Sequence, residues 1–171
     1  MLDMAIFKAG FTRQAGEAKQ TLRYNQNRPG RDGEKITRTL WSWGGKIERT
    51  EAYQMFDEAE RGSYFYRIIL NFDPVKEDTF KDMYLRTVTE KTMRGLEARL
   101  GREFQFVAAT HNDHSPLRHV HVIALLPRRL NRDDLAFGRE AVTEAAIQER
   151  QERDKILELR KERVKQWERE R

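Results

Sequence analysis

The chain has 171 residues, 38% hydrophobic and 36% charged, with 33 Lys/Arg against 28 Asp/Glu and a net charge of +5. That is enough for one core-forming domain with an appendage, and it is polar for a globular protein. Cysteine is absent, which excludes disulfides, thiolate metal sites and cysteine nucleophiles and fits a reducing cytoplasm; no apolar run reads as a membrane segment or a signal peptide.

In chain order, residues 4–11 (MAIFKAGF) read as a first strand. Residues 12–28 read as a helix, with Thr12 able to cap it and Ala15, Ala18 and Leu22 at helical spacing. The Pro/Gly cluster at 29–34 stops it. Residues 36–50 form a strand pair about Gly44-Gly45, and a short helix follows at about 51–60. SYFYRIILNF (63–72) is the strongest strand signal, closed by Asp73-Pro74. An amphipathic helix is expected over 78–100, with Phe80, Met83, Tyr84, Val88, Met93, Leu96 and Leu100 approximating one face and Gly101 as its stop. Strands are expected at 104–110 and 119–126, joined by a turn-rich loop. From about residue 138 the chain reads as a solvated helix whose thin apolar stripe is Ile147, Ile156, Leu157, Leu159, Val164 and Trp167. This pattern is still running at the last residue, as in one domain of something longer.

The order β-α-β-β-α-β-α-β-β-α predicts an α+β fold: a mainly antiparallel central sheet with helices packed on it, plus a long charged C-terminal helix. Residues 1–130 are expected to form the main domain and 131–171 a charged helical extension. The basic excess is uneven, with ten Lys/Arg against five Asp/Glu in residues 1–50. A polyanion partner, nucleic acid first, is the expectation.

All four histidines lie between His111 and His121. Side chains alternate faces along a strand, so His119 and His121 point one way and Val120 and Val122 the other. A hairpin between the last two strands brings His111 beside them. Three imidazoles with further positions open describe a catalytic metal site rather than a closed structural one. His114, in the loop, reads as a bystander. All-nitrogen ligation accepts Zn, Mn, Co, Ni or Mg with waters. Two other His-x-His readings fail on the residues: a histidine-triad hydrolase needs a third histidine where Ile123 stands, and a cupin needs a nearby glutamate where none follows before Glu140.

A metal site with a basic flank suggests phosphodiester chemistry, and tyrosine can serve as a covalent nucleophile. Tyr64, Tyr66 and Tyr84 read as packing residues and Tyr53 is ambiguous. Tyr24 closes a helix amid Arg23, Arg28 and Arg31 and precedes a turn. Lys19, Arg23, Arg28, Arg31, Lys35 and Arg38 form the expected phosphate track. Trp41 and Trp43 share a strand face and can stack on unpaired bases or cover the core. Asp113 is a candidate to orient a metal-bound histidine through its second ring nitrogen; Asp73 reads as a turn former.

The pattern His111…His119-Val120-His121 resembles the HUH endonucleases. LRYNQNR (22–28) resembles the N-terminal tyrosine motif of the conjugative relaxases, the MobA-like mobilization nucleases, and THNDHSPLRHVHVI (110–123) is similar to their metal motif. The tyrosine precedes the histidines, as in relaxases; replication initiators place it after them. The resemblance spans roughly residues 4–127. It implies DNA nicking and rejoining at an origin of transfer through a 5′-phosphotyrosine, in conjugative plasmid or mobile-element transfer. By that resemblance Tyr24 is the nucleophile, and His111, His119 and His121 hold a divalent ion, Mg or Mn first. The substrate implied is single-stranded DNA at a nick site, with accessory conjugation proteins as further partners. Two alternatives remain open: a rolling-circle replication initiator, which differs only in its DNA target, and a non-catalytic DNA-binding module with a structural metal.

Overall fold

The computed structural model describes residues 5–113 and 117–170. In chain order the elements are β1 (Ile6–Thr12), α1 (Ala15–Asn27), β2 (Leu40–Ser42), β3 (Gly45–Ile47), α2 (Arg49–Asp57), β4 (Tyr64–Asn71), α3 (Leu85–Leu100), β5 (Phe106–His111), β6 (His119–Leu126) and α4 (Arg132–Arg169). The strands form one six-stranded sheet in the order β1-β4-β6-β5-β2-β3, with every neighbouring pair antiparallel. The expected α+β class and element order are therefore present. No helix among the described residues is long and apolar enough to cross a membrane.

Both faces of the sheet are covered, which requires strands apolar on alternate residues in both directions. On one face α3 and α4 pack over Phe7, Ile68, Leu70, Phe106, Val120 and Val122. On the other, Ala18 and Leu22 of α1 and Ala52 and Phe56 of α2 pack over Phe65, Val107, Ala109 and Ile123. The central strand β6 serves both cores. Val120, Val122, Ala124 and Leu126 enter the first, and Ile123 enters the second. By the same alternation His119 and His121 share the face of Ile123.

Two helices begin elsewhere than expected. α3 starts at Leu85 rather than near residue 78. Asp73 turns its side chain onto the amides of Val75 and Lys76, Asp78 ion-pairs with Arg118, and Lys81 adopts a left-handed φ of 51°. These local and non-local partners compete with helical hydrogen bonding. Phe80 and Tyr84, expected on the apolar face, are accordingly exposed. α4 starts at Arg132, well before residue 138, with a reciprocal capping box between Asn131 and Asp134. Asp134 is fully buried and held by Arg99 at 3.0 Å and Arg128 at 2.5 Å. The hydrogen bond from Arg128 keeps its carboxyl well below the usual carboxylate range.

The first half of α4 belongs to the core through Val142, Ala145 and Ala146. The expected stripe at Leu159, Val164 and Trp167 is exposed. The extension drawn at 131–171 thus contributes its first half to the packing on β1 and α3. Gly138 marks a close approach: a Cβ there would lie 2.9 Å from the ring of Phe7. In an isolated helix Gly→Ala is favourable by about 1 kcal/mol. Here the buried ring must shift, so Gly138→Ala is expected to destabilise by about 1–3 kcal/mol in urea unfolding. A stabilised variant would show that the ring yields freely.

Candidate functional site

The β5–β6 hairpin opposes His111 directly to His119, and His121 to Ala109. The three rings converge, with centroids 4.4 Å apart for His111–His121, 5.0 Å for His119–His121 and 5.2 Å for His111–His119. One nitrogen from each lies within 4.8 Å of the others, close enough for modest ring rotation to bring all three onto one cation.

Hydrogen bonds identify those nitrogens. His111 Nε2 is 2.7 Å from the carbonyl of Asn25. A carbonyl only accepts, so Nε2 donates and Nδ1 keeps its lone pair. His111 Nδ1 and His121 Nε2 are buried and have no hydrogen-bond partner among the described residues. Leaving a buried polar atom unpaired costs about 1–3 kcal/mol, and two such nitrogens facing a third imidazole fit a cation-binding centre. Burial pushes His121 down to about 3, with the neighbouring imidazoles adding to the effect. Burial and then the Arg38 charge push His111 down to about 4. Burial likewise lowers His119. All three are therefore neutral at pH 7, the form a metal requires.

A pH dependence follows for the metal-free protein. Unfolded histidines take up protons below about pH 6.5, while folded His111 and His121 stay neutral to about 4 and 3. The unfolded state then binds more protons, so stability falls as pH drops from about 6.5 towards 4. Chemical denaturation between pH 7 and 4.5 checks this, and His121→Ala should flatten the slope; an unchanged slope in that variant contradicts it.

Tyr24 occupies the last turn of α1 and is 58% exposed. It lines a cleft of about 580 Å³ together with His121, Lys8, Gly10, Arg67 and Asn25. The expected nucleophile and one expected metal ligand thus border the same cavity. A second hollow of about 350 Å³, also bordered by Tyr24, is lined by Arg23 and Arg28. Arg23, Arg31 and Lys35 are exposed and Arg28 is half-buried.

Other expected site residues are placed differently. Lys19 pairs with Asp57 of α2 at 2.6 Å. Arg38 is buried and pairs with Asp113 at 2.6 Å, so it holds the protein's own carboxylate. The ring nitrogens expected to meet Asp113 instead face backbone: His111 meets Asn25, and His119 Nδ1 faces the Leu117 carbonyl at 3.4 Å. Trp41 pairs in register with Ala108 and lies in the α3/α4 core, on the face opposite the histidines. Trp43 donates its indole N–H to Phe104 at 2.9 Å and is covered by Arg94. Neither tryptophan is placed to stack on bases at this site. His114 lies outside the described residues.

Lys8 and Arg67 were not anticipated. Their signal was a cation inside an apolar strand: Arg67 interrupts Tyr66 and Ile68, and Lys8 follows Phe7. Comparison of the chain with protein-family models, curated proteins and solved structures returned no match.

Proposed function

We propose that this protein is a metal-dependent DNA-nicking and strand-transferring enzyme, with a relaxase-like HUH arrangement and Tyr24 as its nucleophile. One observation carries the reading: three imidazoles converge, two of them with buried nitrogens that have no partner among the described residues, and one of those two, His121, lines a cleft with an exposed tyrosine on a basic flank. His111, His119 and His121 would hold a divalent cation, which supplies Lewis-acid polarisation of a non-bridging phosphate oxygen.

The remaining chemistry belongs to the chain. The Tyr24 oxygen attacks phosphorus, and the bond from phosphorus to the 3′ oxygen breaks. The phenol loses a proton and the departing 3′ oxygen gains one. The product is a phosphotyrosine joined to the 5′ end, an ester of the same type as the one broken, so the reverse attack reseals the strand. Arg23 and Arg28, which line one hollow beside Tyr24, and Lys8 and Arg67, which line the cleft it shares with His121, would neutralise adjacent phosphates.

The test is incubation with single-stranded oligonucleotides and Mg or Mn. A covalent protein–DNA adduct resistant to denaturant should form and should be suppressed by a chelator. Cleavage without an adduct would point to water as the nucleophile. Bound metal with no cleavage of any strand would leave a structural metal in a binding module. The flanking cations carry a separate expectation: Lys8→Ala and Arg67→Ala should each weaken single-strand binding and reduce the log–log salt slope by about 0.7. Fluorescence anisotropy across a salt series measures it, and an unchanged slope removes that residue from the strand's path.

A further inference from the structure

The phenol of Tyr24 makes no hydrogen bond or ion pair among the described residues, so its position depends on the backbone that carries it. That backbone is the end of a helix, where the last carbonyls lack intrahelical donors. Here one residue supplies much of the replacement. The Arg38 amide donates to Gln26 O at 2.9 Å. Its guanidinium donates to Arg28 O at 2.8 Å and Asn25 O at 3.4 Å, and also to Asp113 at 2.6 Å. Asp113 is two residues beyond His111, whose Nε2 donates to the same Asn25 carbonyl. A buried cation at a helix C-terminus is also favourably placed against the helix dipole.

Resting on the reading above, we propose that Arg38 is a positioning residue: it braces the last turn of α1 against Asp113, just beyond β5, and thereby sets where Tyr24 stands relative to the imidazoles. Its contribution belongs to the rate of attack, not to holding DNA. A displacement of about 1 Å in a reacting group can cost about 100-fold.

The experiment compares the unaltered protein with Arg38→Met and Arg38→Lys. The probes are hydrogen exchange of the amides of residues 24–28, titration with manganese alone, and the single-turnover adduct rate over a concentration series of the oligonucleotide the unaltered protein cleaves best. In Arg38→Met, exchange at 24–28 should rise at least about tenfold while β4 and β6 are unaffected, and manganese affinity should stay within about threefold. The adduct rate at saturating DNA should fall at least about tenfold, with half-saturation changed less than about threefold. Arg38→Lys should recover part of the rate.

Unchanged exchange overturns the brace. A loss confined to half-saturation overturns it too, because Arg38 would then be a phosphate contact. If Arg38→Met does not fold, Arg38→Lys decides by the same criteria, and a lysine variant indistinguishable from the unaltered protein sinks the proposal. If the unaltered protein forms no adduct with any strand, the nicking reading fails, while the exchange data still decide the brace.

Discussion

Tyr24→Phe is expected to abolish covalent attachment of DNA and to lower the cleavage rate by at least about three orders of magnitude, with fold and metal binding unchanged. The substitution removes one oxygen from a ring that is 58% exposed, so no buried hydrogen bond is lost and stability should stay within about 0.5 kcal/mol. Deleting a covalent nucleophile removes the step itself rather than weakening it, which is why the loss is large. Manganese affinity should be unaltered, because the imidazoles that face one another are His111, His119 and His121. Denaturing electrophoresis of labelled oligonucleotides gives the result. An adduct that persists in Tyr24→Phe transfers the role to another residue.

His121→Ala carries the second large effect. Its Nε2 is buried without a partner among the described residues, so in the metal-free protein the imidazole contributes packing but no hydrogen bond through that atom. Its removal relieves an unpaired nitrogen and leaves a small void, and the two effects oppose each other. Metal-free stability should therefore change by only about 1 kcal/mol. Metal affinity should fall by about 100-fold or more, since loss of a ligand exceeds the 10–100-fold cost of disturbing a ligand's outer partner. Calorimetric titration with manganese and zinc, paired with urea unfolding of the metal-free variant, separates the two quantities. Unchanged affinity would remove the cluster from metal binding. A large loss of metal-free stability would make His121 a packing residue.

The histidine cluster was legible because it needs only a strand's period of two and a hairpin, both local properties: His119 and His121 share a face by alternation, and a short loop returns the chain to His111. The helix carrying Tyr24 was legible for the same reason. What failed depended on partners distant in sequence. Arg38 reads as a free cation until Asp113 is brought beside it. Trp41 reads as a possible stacking platform until its pairing with Ala108 assigns it to the α3/α4 face, and nothing local fixes which strand β2 joins. The late start of α3 reflects Asp78 being taken by Arg118. The early start of α4 was written in Asn131 and Asp134, a capping pair that the sparse apolar pattern obscured.

The most direct test of the account is where the DNA ends up. After incubation with a single-stranded DNA pool and manganese, nuclease trimming and trypsin digestion, mass spectrometry should find a nucleotide on the peptide spanning residues 24–31. Trypsin cuts after Arg23 and Arg31 but not at the Arg28-Pro29 bond. Fragmentation should place the added mass on Tyr24, joined through the 5′ phosphate. A nucleotide on any other residue, or cleaved DNA with that peptide unmodified, contradicts the claim that this phenol and the three imidazoles act on one phosphate.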